Sequence, residues 1–146
     1  PQNPKTPAND ESIMKKPDLS CKVFLIGTAG VGKTSLIMRY KDGHVDSMSN
    51  LATVGVQMNL KRIEAYGLTV KVQFMDTAGQ ERFSALSKSS FRGTEGIFIV
   101  FDCTEEESFK KIDEWVQNYE QVREPYCESI LVCNKVDLPN RIISRE

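Results

Sequence analysis

The chain lacks an excess of either charge: 19 basic and 20 acidic residues among 146 leave a formal net charge of −1, with the two signs interspersed. A protein that grips a nucleic-acid backbone concentrates Lys and Arg in a stripe, so nucleic acid is excluded as a partner. Long apolar runs are also missing. The longest, residues 97–101, falls far short of the roughly 20 residues a membrane helix needs, and the N-terminus has no apolar core of a signal peptide. The chain is therefore expected in the cytoplasm. Cysteine is sparse: Cys21, Cys103, Cys127 and Cys133 lie in or beside apolar runs without CxxC spacing. Buried, reduced thiols are expected, with neither a disulfide nor a zinc site. There is no internal repeat.

What is present suits one globular domain with a real core, 40% hydrophobic and 27% charged. Residues 1–20 carry prolines at positions 1, 4, 7 and 17 and almost no aliphatic side chains, too little to offset the entropy of ordering, and are expected to be a flexible arm. A domain over residues 21–146 follows. Residues 21–27 form a predicted strand, a glycine-rich turn comes next, and residues 33–40 have the composition of a helix. Residues 57–65 and 69–76 predict two strands joined at Tyr66 and Gly67, with a polar stretch over residues 77–90. Gly96–Asp102 is a continuous apolar run suited to a central strand covered on both faces. Residues 106–123 place Phe109, Ile112, Val116 and Tyr119, with Trp115 nearby, at helical spacing, with Thr104 or Asp102 as the cap. Residues 129–133 give one more buried strand. This alternation predicts an α/β fold: a mostly parallel central sheet with one antiparallel hairpin and helices on both faces.

Three motifs carry chemistry. Gly27, Thr28, Ala29, Gly30, Val31, Gly32, Lys33 and Thr34 match GxxxxGKS/T between a predicted strand and a predicted helix, the context a phosphate loop requires. The glycines let the backbone close around an anion. The N–H groups from Gly30 to Ser35 converge on it, and Lys33 supplies a point charge for the β- and γ-phosphates. The Thr34 hydroxyl is a hard oxygen suited to Mg²⁺. Asp76 ends an apolar strand and opens DxxG, so its carboxylate stands where it can hold the magnesium shell. Gly79 supplies a pivot, and Gln80 is the candidate for orienting an attacking water. Asn134, Lys135 and Asp137 form NKxD just after the last predicted strand. The Asp137 carboxylate can accept from the paired N1–H and N2–H₂ donors of guanine and would repel the N1 acceptor of adenine. The ligand is therefore GTP or GDP with Mg²⁺.

With these motifs in order, the chain resembles the Ras-superfamily small GTPases, and the Rab branch most, over roughly residues 20–146. The resemblance is carried by residues 72–83, by Phe91, Arg92 and Gly93, and by residues 134–138. It implies a P-loop G domain in which Thr53 closes over Mg²⁺ and the γ-phosphate, as both metal ligand and catalytic residue beside Lys33, Gly79 and Gln80. Switch I would span about residues 42–56 and switch II about 77–91, segments that effector, exchange and activating proteins read according to the nucleotide. It further implies a role in vesicle traffic, peripheral on endomembranes through a prenylated C-terminal tail.

Three departures stand out. Val45 occupies the place of the aromatic residue that usually lies across the guanine ring. Met58, Met75 and Ser90 replace the aromatic triad of the Rab active face. The chain stops at Glu146, before the family's last strand and final helix, which leaves the predicted 129–133 strand as an open edge. That edge is expected to be covered by further polypeptide or by a second copy, as a dimer or by exchange of elements. A GTP/GDP-binding scaffold with little hydrolysis is the alternative to a GTPase switch. An ATP-using kinase is disfavoured by Asp137.

Overall fold

The computed structural model describes residues 16–45, 53–77 and 88–144. Gly79, Gln80 and most of the N-terminal arm lie outside the described residues. Among the described residues the elements run β1 (Leu19–Ile26), α1 (Lys33–Asp42), β2 (Val56–Ala65), β3 (Leu68–Thr77), α2 (Lys88–Phe91), β4 (Gly96–Asp102), α3 (Glu106–Lys110), α4 (Ile112–Glu120) and β5 (Glu128–Asn134). The strands form one sheet in the order β2-β3-β1-β4-β5. Only β2–β3 is antiparallel. Tyr66 and Gly67, both at positive φ, make its two-residue turn, which suits the right-handed twist of a hairpin.

Side chains of β1 alternate between two cores, as a strand's period of two requires. Phe24 and Ile26 pack with Ile97, Ile99, Phe91, Trp115 and Tyr119 on one face. Val23 and Leu25 pack with Val31, Ile37, Phe74 and Val100 on the other. Helices thus cover both faces, α1 on one and α4 on the other. Each fully buried Phe or Ile contributes on the order of 1.5–3 kcal/mol.

Two boundaries differ from expectation. Strand β1 starts at Leu19, inside the stretch assigned to the arm, because Asp18 exchanges hydrogen bonds with Thr69 at 2.8 Å: its N–H donates to the Thr69 carbonyl and its carboxylate accepts from the Thr69 N–H. The helix expected over residues 106–123 is two helices broken at Lys111, and its cap position is Glu105, with no side-chain cap. Asp102 is engaged elsewhere. Phe109 lies edge-on to Phe101 at 5.2 Å and is 42% exposed, so the apolar stripe begins in earnest at Ile112.

The parallel registers pair Leu25 with Asp76, Ile26 with Ile99, and Asp102 with Asn134, aligning the carboxyl ends of four strands. From β1 the chain crosses to β2 and β3 on one side and later to β4 on the other. That reversal opens a crevice outside the end of β1, where open α/β sheets bind ligands.

Candidate functional site

The loop from β1 to α1 is fixed by close contacts that only glycine permits. Gly27 has φ 142°, and a Cβ there would lie 2.2 Å from the Val100 carbonyl oxygen. Gly32 has φ 97°, and a Cβ would lie 2.4 Å from Asn134 Nδ2, which donates to the Val31 carbonyl at 2.7 Å. Val31 is fully buried and anchors the loop, while Ala29 and Gly30 are exposed. Helix α1 begins with no side-chain cap and no acidic residue in its first turn. Its first N–H groups, Ser35 among them, are left for an anion.

Lys33 is 5% exposed. Its Nζ donates to the carbonyls of Gly27 at 2.9 Å and Thr28 at 2.8 Å. Burial pushes the ammonium down to about 8, with the Asp76 charge pulling the other way. Carbonyl dipoles only partly replace its lost hydration, so a bound phosphate would further favour the charged form.

Thr34 Oγ1 donates to Asp76 Oδ2 at 2.6 Å and lies 2.8 Å from Thr53 Oγ1. Asp76 is fully buried, and its Oδ1 has no hydrogen-bond partner among the described residues. Burial pushes its carboxyl above the ordinary value, while the Thr34 hydrogen bond, the Lys33 charge and Thr53 pull it back. Two hydroxyls beside an unsatisfied buried carboxylate oxygen fit a hard divalent cation that takes oxygen ligands. The three metal ligands expected from the sequence thus meet at one point.

The NKxD residues, expected from the sequence to read the base, are split. Asn134 turns inward to the phosphate loop. Lys135 has φ 59°, and its Nζ meets Asp102 Oδ2 at 2.6 Å. Burial opposes ionisation of Asp102, but the hydrogen bonds from Lys135 and Thr104 win and hold its carboxyl below the ordinary value. The Asp137 carboxylate is exposed and makes no hydrogen bond or ion pair among the described residues. Val45 is 43% exposed. Met58 and Met75 face one another across β2 and β3, yet Met58 is exposed while Met75 packs on the Phe24 core. Sequence reasoning missed Asp102 as the partner of Lys135. Its signal was the same as that of Asp76, a carboxylate ending an apolar strand.

A model of the Ras family matches residues 22–146. The chain belongs to the Ras family. Ras-related protein RABD2a of Arabidopsis thaliana is 41% identical to it over 131 residues, covering 88% of this chain and 64% of the relative. GTP-binding protein YPTM2 of Zea mays is 39% identical over 131 residues, covering 88% and 64%. Ras-related protein Rab-8B of Dictyostelium discoideum is 40% identical over 124 residues, covering 85% and 61%. This Ras-family chain thus spans 61% to 64% of the length of these curated relatives. Its family members bind GTP and GDP, typically with Mg²⁺, and act as small GTPase switches. No helix among the described residues is long and apolar enough to cross a membrane.

Proposed function

We propose that this chain binds Mg·GTP, hydrolyses it to GDP and phosphate, and regulates vesicle traffic through effector, exchange and activating proteins that read residues 42–56 and 77–91. The observation that carries the reading is the convergence of Thr34, Thr53 and Asp76 beside Lys33 at the start of α1. Thr34, Thr53 and Asp76 would hold the Mg²⁺, which neutralises charge on the phosphates. Lys33 exchanges the loop carbonyls for phosphate oxygens, and the N–H groups at the start of α1 bind the anion. Asn134 keeps the loop in shape. Asp137 accepts from guanine, with Lys135 held in place by Asp102. Water adds to the γ-phosphorus as its bond to the β–γ bridging oxygen breaks, and Gln80 orients that water.

Single-turnover hydrolysis by the full chain tests this. The parent should convert bound GTP, and Gln80→Leu should do so at least about tenfold more slowly with unchanged GTP affinity. Tight GTP binding without turnover by the parent would establish the scaffold instead.

A second element of the proposal concerns coverage. On β5, Ile130 and Leu131 are 55% and 52% exposed. An apolar groove of about 510 Å³ runs beside α1, lined by Val23, Leu36, Ile37, Phe74, Phe98 and Val132 among others. Further polypeptide or a second copy of the chain covers them in the working protein. Light scattering on the isolated chain should show self-association, and a stable monomer would count against it.

A further inference from the structure

Strand β4 ends in Asp102, and the two residues at that end grip Lys135 from both sides. Asp102 is 5% exposed, and its Oδ2 lies 2.6 Å from Lys135 Nζ. Cys103 is fully buried, and its thiol donates to the Lys135 carbonyl at 3.4 Å. The Cys103 N–H donates to the Asn134 carbonyl at 3.2 Å, just past the strand pairing of Asp102 with Asn134.

What is held there is a turn. Lys135 has φ 59°, a left-handed conformation that side chains other than Asn and Asp rarely adopt. Its carbonyl also accepts from the Leu138 N–H at 3.1 Å, which closes a four-residue turn with Asp137 in third place. The direction in which the Asp137 carboxylate is presented therefore depends on the Lys135 backbone, and a left-handed lysine persists only where its surroundings hold it.

The demand for that hold comes from Asp102. The Lys135 side chain is 34% exposed, so water could serve its ammonium elsewhere, whereas a buried carboxylate needs its cation. The carboxylate is already aimed: Oδ1 accepts from the Thr104 N–H at 2.8 Å and from the Thr104 hydroxyl at 2.7 Å, leaving Oδ2 for Lys135. The Asp102 N–H in turn donates to Ser108 Oγ at 3.0 Å in a buried contact. An amide of the same shape could keep both Thr104 bonds through its oxygen, but it would then set a donor against the ammonium.

We propose that Asp102 is a positioning residue for guanine selection: by holding Lys135 in its left-handed conformation, it sets the turn that presents Asp137. The inference rests on the reading of Asp137 as the group that accepts from guanine. Because Asp102 acts through the turn, its loss should weaken the choice of base as well as overall affinity.

The test compares the full chain with its Asp102→Asn, Thr104→Val and Asp137→Asn variants in affinity for guanosine and inosine diphosphates, measured by displacement of fluorescent GDP. Inosine lacks the N2 amino group, so the ratio of the two affinities reads the second hydrogen bond to Asp137. Asp102→Asn should lower GDP affinity about tenfold and cut the preference for GDP over inosine diphosphate about fivefold. Thr104→Val removes one of the two bonds that aim the carboxylate and leaves its charge. It should move both quantities the same way by about twofold, and it decides the matter if Asp102→Asn does not fold. A parental preference in Asp102→Asn overturns the proposal, even with weaker GDP binding, because a parallel loss of both nucleotides marks a general structural role. A parental preference in Thr104→Val overturns it where Asp102→Asn is unfolded. If Asp137→Asn also keeps the parental preference, the base-reader reading fails first and the positioning role falls with it. If Asp137→Asn loses the preference and Asp102→Asn keeps it, the role of Asp102 alone is lost.

Discussion

At the phosphate end of the site, Lys33, Thr34, Thr53 and Asp76 are withdrawn from solvent and bonded to one another or to the loop. Around the proposed base reader, Asp137 is exposed, and Asn134 and Lys135 are occupied in bracing the loop and Asp102. Phosphate binding is therefore an exchange of partners in a network already assembled, with the electrostatic cost of burial met during folding. In the proposed function, base selection instead rests on one carboxylate whose acceptor capacity is free. The first should control affinity and its pH dependence, the second discrimination.

The contrast is broken most severely by Lys33→Ala. Removing a buried charge that faces the phosphates costs about 3–5 kcal/mol, roughly a thousandfold in GTP affinity, and a titration with fluorescent nucleotide will show it. Retained affinity would mean that Lys33 remains on the Gly27 and Thr28 carbonyls in the complex.

Next comes Asp137→Asn, which should narrow the preference for GTP over xanthosine triphosphate by roughly tenfold to a hundredfold, because an amide presents a donor where the carboxylate could only accept. Competition between the two nucleotides measures it. Unchanged discrimination would place base reading on another group and end the division of labour.

The smallest effect concerns pH. The Lys33 ammonium is lowered to about 8 in the free protein, and a bound polyphosphate would raise it again. The complex then holds more protons than the free protein above that value, so affinity must fall as pH rises. Nucleotide should bind about tenfold more weakly near pH 9 than near pH 7. Lys33→Arg, which stays charged, should flatten that slope. The same logic applies to stability without ligand: the unfolded chain holds the Lys33 proton to higher pH than the folded one, so this residue adds stability as pH rises from about 8 towards 10.5. A pH-independent affinity in the parent would show that Lys33 is not desolvated in solution.

Much of this was legible in the sequence because it rests on local requirements. Glycines at 27 and 32, a lysine and a threonine at the first turn of α1, and a carboxylate closing an apolar strand each state what backbone or ligand they serve. The strand period, the Tyr66 and Gly67 turn and the three-motif order were enough for the fold class. The helix expected over residues 106–123 went astray because apolar spacing continues through Lys111 although the chain does not, and spacing carries no information about a broken turn. Asp102 was misassigned to a helix cap for a related reason. Its proximity to Lys135 follows from the β4–β5 register, which joins residues far apart in the chain.

What the sequence by itself determined, then, was the set of chemical groups and the strands and helix that present them, since short-range spacing and turn chemistry are properties of neighbouring residues. Tertiary structure alone decided who meets whom. It brought Thr53 to Thr34, turned Asn134 onto Val31, and paired Lys135 with Asp102. Each of these contacts closes a long loop, and only burial of the two cores on either side of β1 supplies enough free energy to hold such loops closed.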